Sequence, residues 1–305
     1  MTQWHVHTPV MVEEALAHLV TRPDGLYVDA TLGLGGHAEA ILRRLPGGRL
    51  IGVDKDPMAL EFAQERLRPF MHRYQLFHST YADLPQLLER QGAGPVTGVL
   101  ADLGVSSLQL DAPERGFSFQ QAGPLDMRMD PTRELTAADI VNHWSERELV
   151  DLLRRCGEEP RAHKIARAIV RSRPVRDTAH LAAIVTGTRK AKGRQKLHPA
   201  TRTFLALRIA VNREEEELEQ FLSRVPVILS PGGRAVVISF HSLEDRRVKQ
   251  AFRREAAAGR LRILTKKVVR PSDEEVAANP RARSARLRAA ERLVEDPERS
   301  RREED

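Results

Sequence analysis

The chain has 305 residues, of which 41% are hydrophobic and 30% charged, with a net charge of +7. That length exceeds one average domain and can bury a sizeable core, which excludes global disorder. Its single cysteine, Cys156, excludes an intrachain disulfide and a cysteine-based zinc cluster, and suits a reducing compartment.

Met1–Val10 has no apolar core of signal-peptide length, and apolar runs such as Ala235–Ile238 are far short of a membrane span. A soluble cytoplasmic protein is expected. Leu26–Ala30 reads as a short strand carrying Asp29. A glycine turn follows at Gly33, Gly35 and Gly36, then a helix over Ala38–Leu45 that Pro46–Gly48 stops. Arg49–Val53 is a second strand, ending at Asp54, and Pro57 opens a helix to Leu67. Tyr74–Phe77 is a third strand, Leu84–Arg90 a helix, and Val96–Ala101 a fourth strand ending at Asp102. This alternation predicts an α/β fold with a parallel, doubly wound sheet.

Between Asp111 and Arg208 the signals are almost all helical. Ser145 and Glu148 form a capping box, Leu149, Leu152, Leu153 and Cys156 follow at helical spacing, and Gly157 fits the stop. Ala162–Arg171 is a second amphipathic helix, and Thr178 is placed to cap a third over Ala179–Val185. Arg189–Lys196 has no periodicity and reads as a mobile loop; Ala200–Leu222 is helical again. After a turn at Ser230–Gly233 the strand Arg234–Phe240 resumes the alternation, with Ser242 and Asp245 placed to cap the next helix. Val268–Val269 is expected to pair with Leu261–Leu264, Arg286–Leu293 to be weakly helical, and Glu295–Asp305 to be a frayed charged tail. The simplest organisation is one α/β domain, residues 1–110 and 209–294, interrupted by a helical insertion, 111–208, and followed by the tail, 295–305.

Charge is unevenly spread. Residues 160–208 hold 13 Lys+Arg against one acid, Asp177, a net of +12. Arg161, Lys164, Arg167 and Arg171 recur at helical spacing, and Arg189, Lys190, Lys192, Arg194 and Lys196 cluster in eight residues. A merely solvated face usually mixes signs; this one reads as the footprint of a polyanion such as RNA.

The spacing Gly33-x-Gly35-x-x-Ala38 after a strand matches a dinucleotide fingerprint, and equally a ligand-free turn or another nucleotide cofactor. Asp29, Asp54 and Asp102 separate these readings. Asp54 lies about 20 residues past the glycines, where a carboxylate binds ribose hydroxyls. Asp29 and Asp102 would repel a pyrophosphate but suit an ammonium and a sulfonium. The charge pattern therefore favours S-adenosylmethionine over NAD.

Longer motifs point to a family. HTPVMVEEAL (His7–Leu16), DATLGLGGH (Asp29–His37), DLGVSSLQLD (Asp102–Asp111), ERGFSF (Glu114–Phe119), GPLDMRMDP (Gly123–Pro131), HPATRTFLALRIAVN (His198–Asn212), SFHSLEDR (Ser239–Arg246) and NPRARSARLRAAERL (Asn279–Leu293) occur in order. The set resembles the RsmH (MraW) family of 16S ribosomal RNA cytosine-N4 methyltransferases. The resemblance implies a class I Rossmann-like methyltransferase sheet with an inserted all-helical domain that recognises the substrate. It also implies S-adenosylmethionine as cofactor, and a decoding-centre cytosine of 16S ribosomal RNA within the small ribosomal subunit as target. Cofactor contacts are implied at Gly35, Gly36, His37, Asp54, Tyr81, Asp102 and Gln109. Leu108 departs from the family's usual proline, Leu205 from glutamine and Tyr81 from phenylalanine.

The implied reaction needs an acceptor for the amine's hydrogen, so that its lone pair turns toward the methyl. Asp102, Ser106 or a backbone carbonyl of Asp102–Ser107 could serve. His241 and Glu244 either face the same crevice or only begin a helix. No residue stands out as catalytic base, no metal is implied, and monomer and homodimer both stay open. Two rival classes remain at this level: a dinucleotide-dependent oxidoreductase, and a non-catalytic RNA-binding factor on a relic cofactor fold.

Overall fold

The computed structural model describes residues 8–189 and 198–294. Lys190, Lys192, Arg194, Lys196 and the tail Glu295–Asp305 lie outside the described residues. The chain divides into two units, Met1–Gly104 with Glu216–Asp305, and Val105–Glu215. The second unit is wider than the stretch 111–208, because it takes in the whole of the helix Ser107–Asp111, the end of the helix Thr201–Val211 and the first two residues of the helix Glu214–Ile228.

The first unit begins with α1 (Val12–Leu19), β1 (Leu26–Asp29), α2 (Gly36–Arg44), β2 (Arg49–Asp54), α3 (Pro57–Leu67), β3 (Tyr74–His78), α4 (Leu84–Arg90) and β4 (Val96–Asp102). Helices α5 (Ser107–Asp111), α6 (Ala137–His143), α7 (Glu146–Arg155), α8 (Ala162–Arg171), α9 (Thr178–Gly187) and α10 (Thr201–Val211) build the second unit. The chain then runs through α11 (Glu214–Ile228), β5 (Leu229–Ser239), α12 (Ser242–Ala257), β6 (Leu261–Ile263), α13 (Asp273–Ala278) and β7 (Arg286–Arg292).

The seven strands form one sheet in the order β3-β2-β1-β4-β5-β7-β6. The first five are parallel, as the alternation predicts. Successive residues feed opposite layers. Val28, Val99 and Val237 enter one core with Phe221 and Phe252, while Tyr27, Leu100 and Ile238 enter the other with Leu19 and Leu42. Burying each such side chain contributes about 1.5–3 kcal/mol.

The last edge of the sheet departs from the sequence reading. Arg286–Arg292 is a strand, not a helix, antiparallel to both β5 and β6. Its alanines favour a helix in isolation, but Leu287, Ala289 and Ala290 are fully buried there, and small side chains fit between two neighbouring strands. β7 therefore takes the partners expected to pair with each other: Leu261–Ile263 as β6, and Val269 as a single bridge to Leu287. The SPGG segment lies inside β5, where the pairing jumps from Val96↔Leu229 to Gly98↔Arg234.

The helical unit is strongly capped. Ser106, Thr136 and Ser145 each open a helix with a reciprocal capping box. Asp177, rather than Thr178, caps α9, accepting from the His180 N–H at 2.7 Å. Thr178 is buried and instead clamps a loop, accepting from Gly123 N–H and donating to the Gln121 carbonyl. The stretch Ala200–Leu222 is two helices, broken where Arg213 takes φ 50°. Asn212 leaves the helical path and bonds the backbone of Met127 and Met129 at 2.7 Å each. Leu149, Leu153, Ile165, Ile169, Leu181 and Phe204 fill the core of this unit.

Candidate active site

The chain moves outward from β1 to β3 on one side and from β4 to β5 on the other. The order reverses between β1 and β4, where an open α/β sheet presents a crevice at its carboxyl ends. Asp29 ends β1, Asp54 ends β2 and Asp102 ends β4. The glycine turn crosses from β1 into α2, whose N-cap is Gly35 at φ 76°.

Asp29 is buried; Oδ1 accepts from Thr31 N–H at 3.3 Å, and Oδ2 has no partner among the described residues. Burial raises its pKa to about 7, helped by the nearby Asp54 and opposed by the N–H groups of Thr31 and Ala38. Asp102 Oδ1 is likewise buried without a partner. Burial, then Asp29 and Glu244, push its pKa well above the usual carboxylate range. Two carboxyls that cannot both ionise comfortably mark a place prepared for a cation.

Asp54 is more fully engaged. Its Oδ2 accepts from Gly33 N–H at 2.7 Å and its Oδ1 from Asp56 N–H at 2.8 Å. Burial raises its pKa too. Asp54 thus holds the glycine turn and the cap of α3 before any ligand is considered.

His37 is buried, with Nε2 2.9 Å from the Val10 carbonyl and Nδ1 3.7 Å from Asp102 Oδ2. A carbonyl only accepts, so Nε2 carries the proton of the neutral ring. Gly35 is required by packing and by its left-handed backbone, Gly36 by packing. A Cβ on Gly35 would meet Ala63 at 3.2 Å, and one on Gly36 would meet Pro9 at 2.9 Å. Tyr81 packs edge-to-face on Phe221 at 5.5 Å, with Lys55 Nζ 5.7 Å from its ring centroid. Lys55 itself pairs with Glu217 at 2.5 Å.

Six of the seven expected cofactor residues therefore belong to the sheet unit. Gln109 belongs to the helical unit, where its side chain accepts from Ser106 N–H at 3.1 Å. Ser106 in turn accepts from Gln109 N–H, so its hydroxyl caps α5. His241 caps α12 in place of Ser242; it accepts from Glu244 N–H while Glu244 accepts from Phe240 and His241 N–H. The sequence marks His7–Leu16 as a family motif but does not signal that Thr8–Met11 packs beside the glycine turn, where Pro9 meets Gly36. Met11 is buried at φ 54° with its N–H on Glu275 at 2.6 Å, and no residue type there signals a left-handed conformation.

The sheet order, the glycine turn at the switch point and the inserted helices define a class I Rossmann-like methyltransferase fold. Residues 4–293 match the MraW methylase family, and the chain belongs to it. It is 50% identical over 309 residues to a ribosomal RNA small subunit methyltransferase H of Dehalococcoides mccartyi, covering 96% of this chain and 88% of that protein. To proteins of the same name it is 50% identical in Thermomicrobium roseum, covering 95% and 94%, and 51% identical in Cyanothece sp., covering 94% and 95%. Membership of a methylase family removes the oxidoreductase alternative. Among the described residues, no helix is long and apolar enough to cross a membrane.

Proposed function

We propose that the protein transfers a methyl group from S-adenosylmethionine to the exocyclic N4 amine of a decoding-centre cytosine in 16S ribosomal RNA, acting on the small subunit in the cytoplasm. The observation that carries the cofactor reading is the pair of buried, partnerless carboxylate oxygens, Asp29 Oδ2 and Asp102 Oδ1. They fit a ligand that brings positive charge and N–H donors, and they oppose a pyrophosphate. S-adenosylmethionine, bound there, supplies an electrophilic methyl on a sulfonium.

The chain's own residues do the rest. Asp29 and Asp102 neutralise the cation. Asp54 accepts from ribose hydroxyls with the lone pairs its two backbone bonds leave open. Tyr81 offers its ring to the adenine, and the backbone at Gly35–His37 borders the methionine portion. The amine's hydrogen is accepted by Asp102, by Ser106 Oγ, whose cap uses one of its two lone pairs, or by a backbone carbonyl of Asp102–Ser107. In the helical unit the exposed cations Lys164, Arg167 and Arg171 of α8 face phosphates.

Homologues named as small-subunit ribosomal RNA methyltransferases support the substrate class, and the basic stripe supports a polyanion. The test is methyl transfer from labelled S-adenosylmethionine to small subunits that lack the modification, followed by mass spectrometry of the nucleosides. Label in N4-methylcytidine is the expected result. Label in another nucleoside, or none, overturns the reading.

A further inference from the structure

A second strongly basic surface lies on the sheet unit, in a stretch of the sequence distinct from the +12 block. Between Lys266 and Arg288 the chain carries seven cations, Lys266, Lys267, Arg270, Arg281, Arg283, Arg286 and Arg288, against three acids. The three acids, Asp273, Glu274 and Glu275, occupy the first turn of α13, where they complement the helix N-terminus, and Glu275 also holds Met11 N–H. Arg288 is matched by Asp245 at 2.7 Å. The other six cations are brought together by the fold. The bridge Val269↔Leu287 lays the Lys266–Arg270 segment along the start of β7. Ala282 and Ala285 are buried in the same layer as Leu287, while Arg281 and Arg283 are exposed.

This surface adjoins the carboxyl edge of the sheet. Arg286 is in register with Ser239, the last residue of β5, and Ser239 Oγ donates to its carbonyl at 3.3 Å. Asn279 Nδ2 donates to the Thr8 carbonyl, and the same N-terminal segment contacts His37 through Val10. Arg286 also has an unfilled donor: Nη1 is buried with no partner among the described residues. A desolvated guanidinium group is completed best by a bidentate anion.

We infer that Lys266, Lys267, Arg270, Arg281, Arg283 and Arg286 form a second phosphate-binding face, which grips the RNA backbone beside the crevice. The inference rests on the RNA-methyltransferase reading above. A protein-docking face would expose apolar anchors. Among the described residues the exposed large hydrophobic ones are Met58, Met71, Val227 and Val294, none of them in this stretch. Cations without apolar neighbours suit phosphates, which fix the register of a nucleic acid without reading its sequence.

The test compares the intact chain with a variant carrying Lys266→Ala, Lys267→Ala, Arg270→Ala, Arg281→Ala and Arg283→Ala, with Lys266→Ala/Lys267→Ala as a milder variant, and with Arg286→Gln. Affinity for 16S ribosomal RNA is measured at several salt concentrations, and S-adenosylmethionine affinity by calorimetry. Each lost phosphate contact lowers the log–log salt slope by roughly 0.7–0.9. We expect the fivefold variant to lose at least two contacts' worth of slope, the double variant at least one, and Arg286→Gln to weaken RNA binding, all with cofactor affinity unchanged. An unchanged slope in the variants, with the intact chain still binding RNA, overturns this face alone. Weakened cofactor binding in Arg286→Gln overturns its assignment to RNA and gives it to the cofactor's carboxylate. If the intact chain neither binds nor methylates the RNA, the substrate reading itself fails.

Discussion

The two units handle charge in opposite ways. At the carboxyl edge of the sheet, Asp29 is buried and Asp102 half-buried, and each has a buried oxygen that nothing in the described structure satisfies. On α8 of the helical unit, Lys164, Arg167 and Arg171 are exposed, and Arg167 pairs at the surface with Glu146 at 3.4 Å. Buried unpaired carboxyls cost stability, so their presence marks a site whose ligand supplies the missing donors. Exposed cations cost the fold almost nothing and act at a distance, so they mark where a polyanion lands. One region is prepared for a small cationic ligand, the other for a large anionic one.

Four experiments break or sharpen that contrast. The largest effect is expected for Gly35→Val. Its φ of 76° and the 3.2 Å approach to Ala63 leave no room for a branched side chain. Left-handed strain costs about 1–2 kcal/mol, and overpacking about 1–3 kcal/mol more. Thermal unfolding should show a large drop, and calorimetry a loss of S-adenosylmethionine binding. A stable variant with normal binding would remove the turn from the site.

Asp54→Ala comes next. It should weaken cofactor binding by about 1.5–3 kcal/mol, the range for a hydrogen bond to a charged group. It should also lower stability, because Gly33 and Asp56 N–H lose their acceptor. Asp54→Asn keeps one acceptor oxygen and sets its NH2 against the other backbone N–H, so thermal unfolding should show the loss of one of the two bonds, and titration calorimetry weakened binding.

The pH dependence is a smaller effect of defined sign. Asp29 holds its proton up to about pH 7 in the folded protein and releases it near the ordinary carboxylate value when unfolded. Between roughly pH 4 and 7 the folded state therefore binds more protons, and stability falls as pH rises through that window. Cation binding runs the other way and strengthens as Asp29 ionises. Cofactor affinity measured from pH 5.5 to 7.5 should rise severalfold, and Asp29→Asn should flatten both profiles. A flat profile in the unaltered chain would contradict the cation site.

The smallest effect on fold and cofactor is expected for Lys164→Ala, Arg167→Ala and Arg171→Ala together. All three are exposed, whereas Arg161 is left in place because it pairs with the buried Glu159 at 3.3 Å and its loss would leave that carboxylate unpaired. Surface changes of this kind stay within about 0.5 kcal/mol each, and cofactor affinity should not move. RNA affinity should fall and its salt slope flatten. An unchanged slope would place the RNA footprint elsewhere.

Local signals were legible in proportion to how local their physics is. Pro57 at the start of its helix, Ser145 with Glu148, and the apolar face of Ala162–Arg171 each act within one or two helical turns, and the structure has them where the spacing places them. The caps at His241 and Asp177 were off by one residue, because neighbouring polar side chains compete for the same N–H groups and tertiary contacts decide. Thr178 was taken by the Gln121–Gly123 loop.

By itself, the sequence determined the alternation that makes a parallel sheet, the helical insertion with its +12 charge, and the three aspartates at strand ends. Periodicity, capping and charge are properties of neighbours along the chain, and so survive without coordinates. Only the tertiary structure decided that Arg286–Arg292 is a strand, that Gly35 and Gly36 are held by Ala63 and Pro9, and that Asp29 and Asp102 keep oxygens without partners. Each of these depends on what segments far apart in sequence bring to one point. A β-strand without lateral partners has no stability of its own, and a carboxylate's cost is set by the solvent and donors its distant neighbours take away.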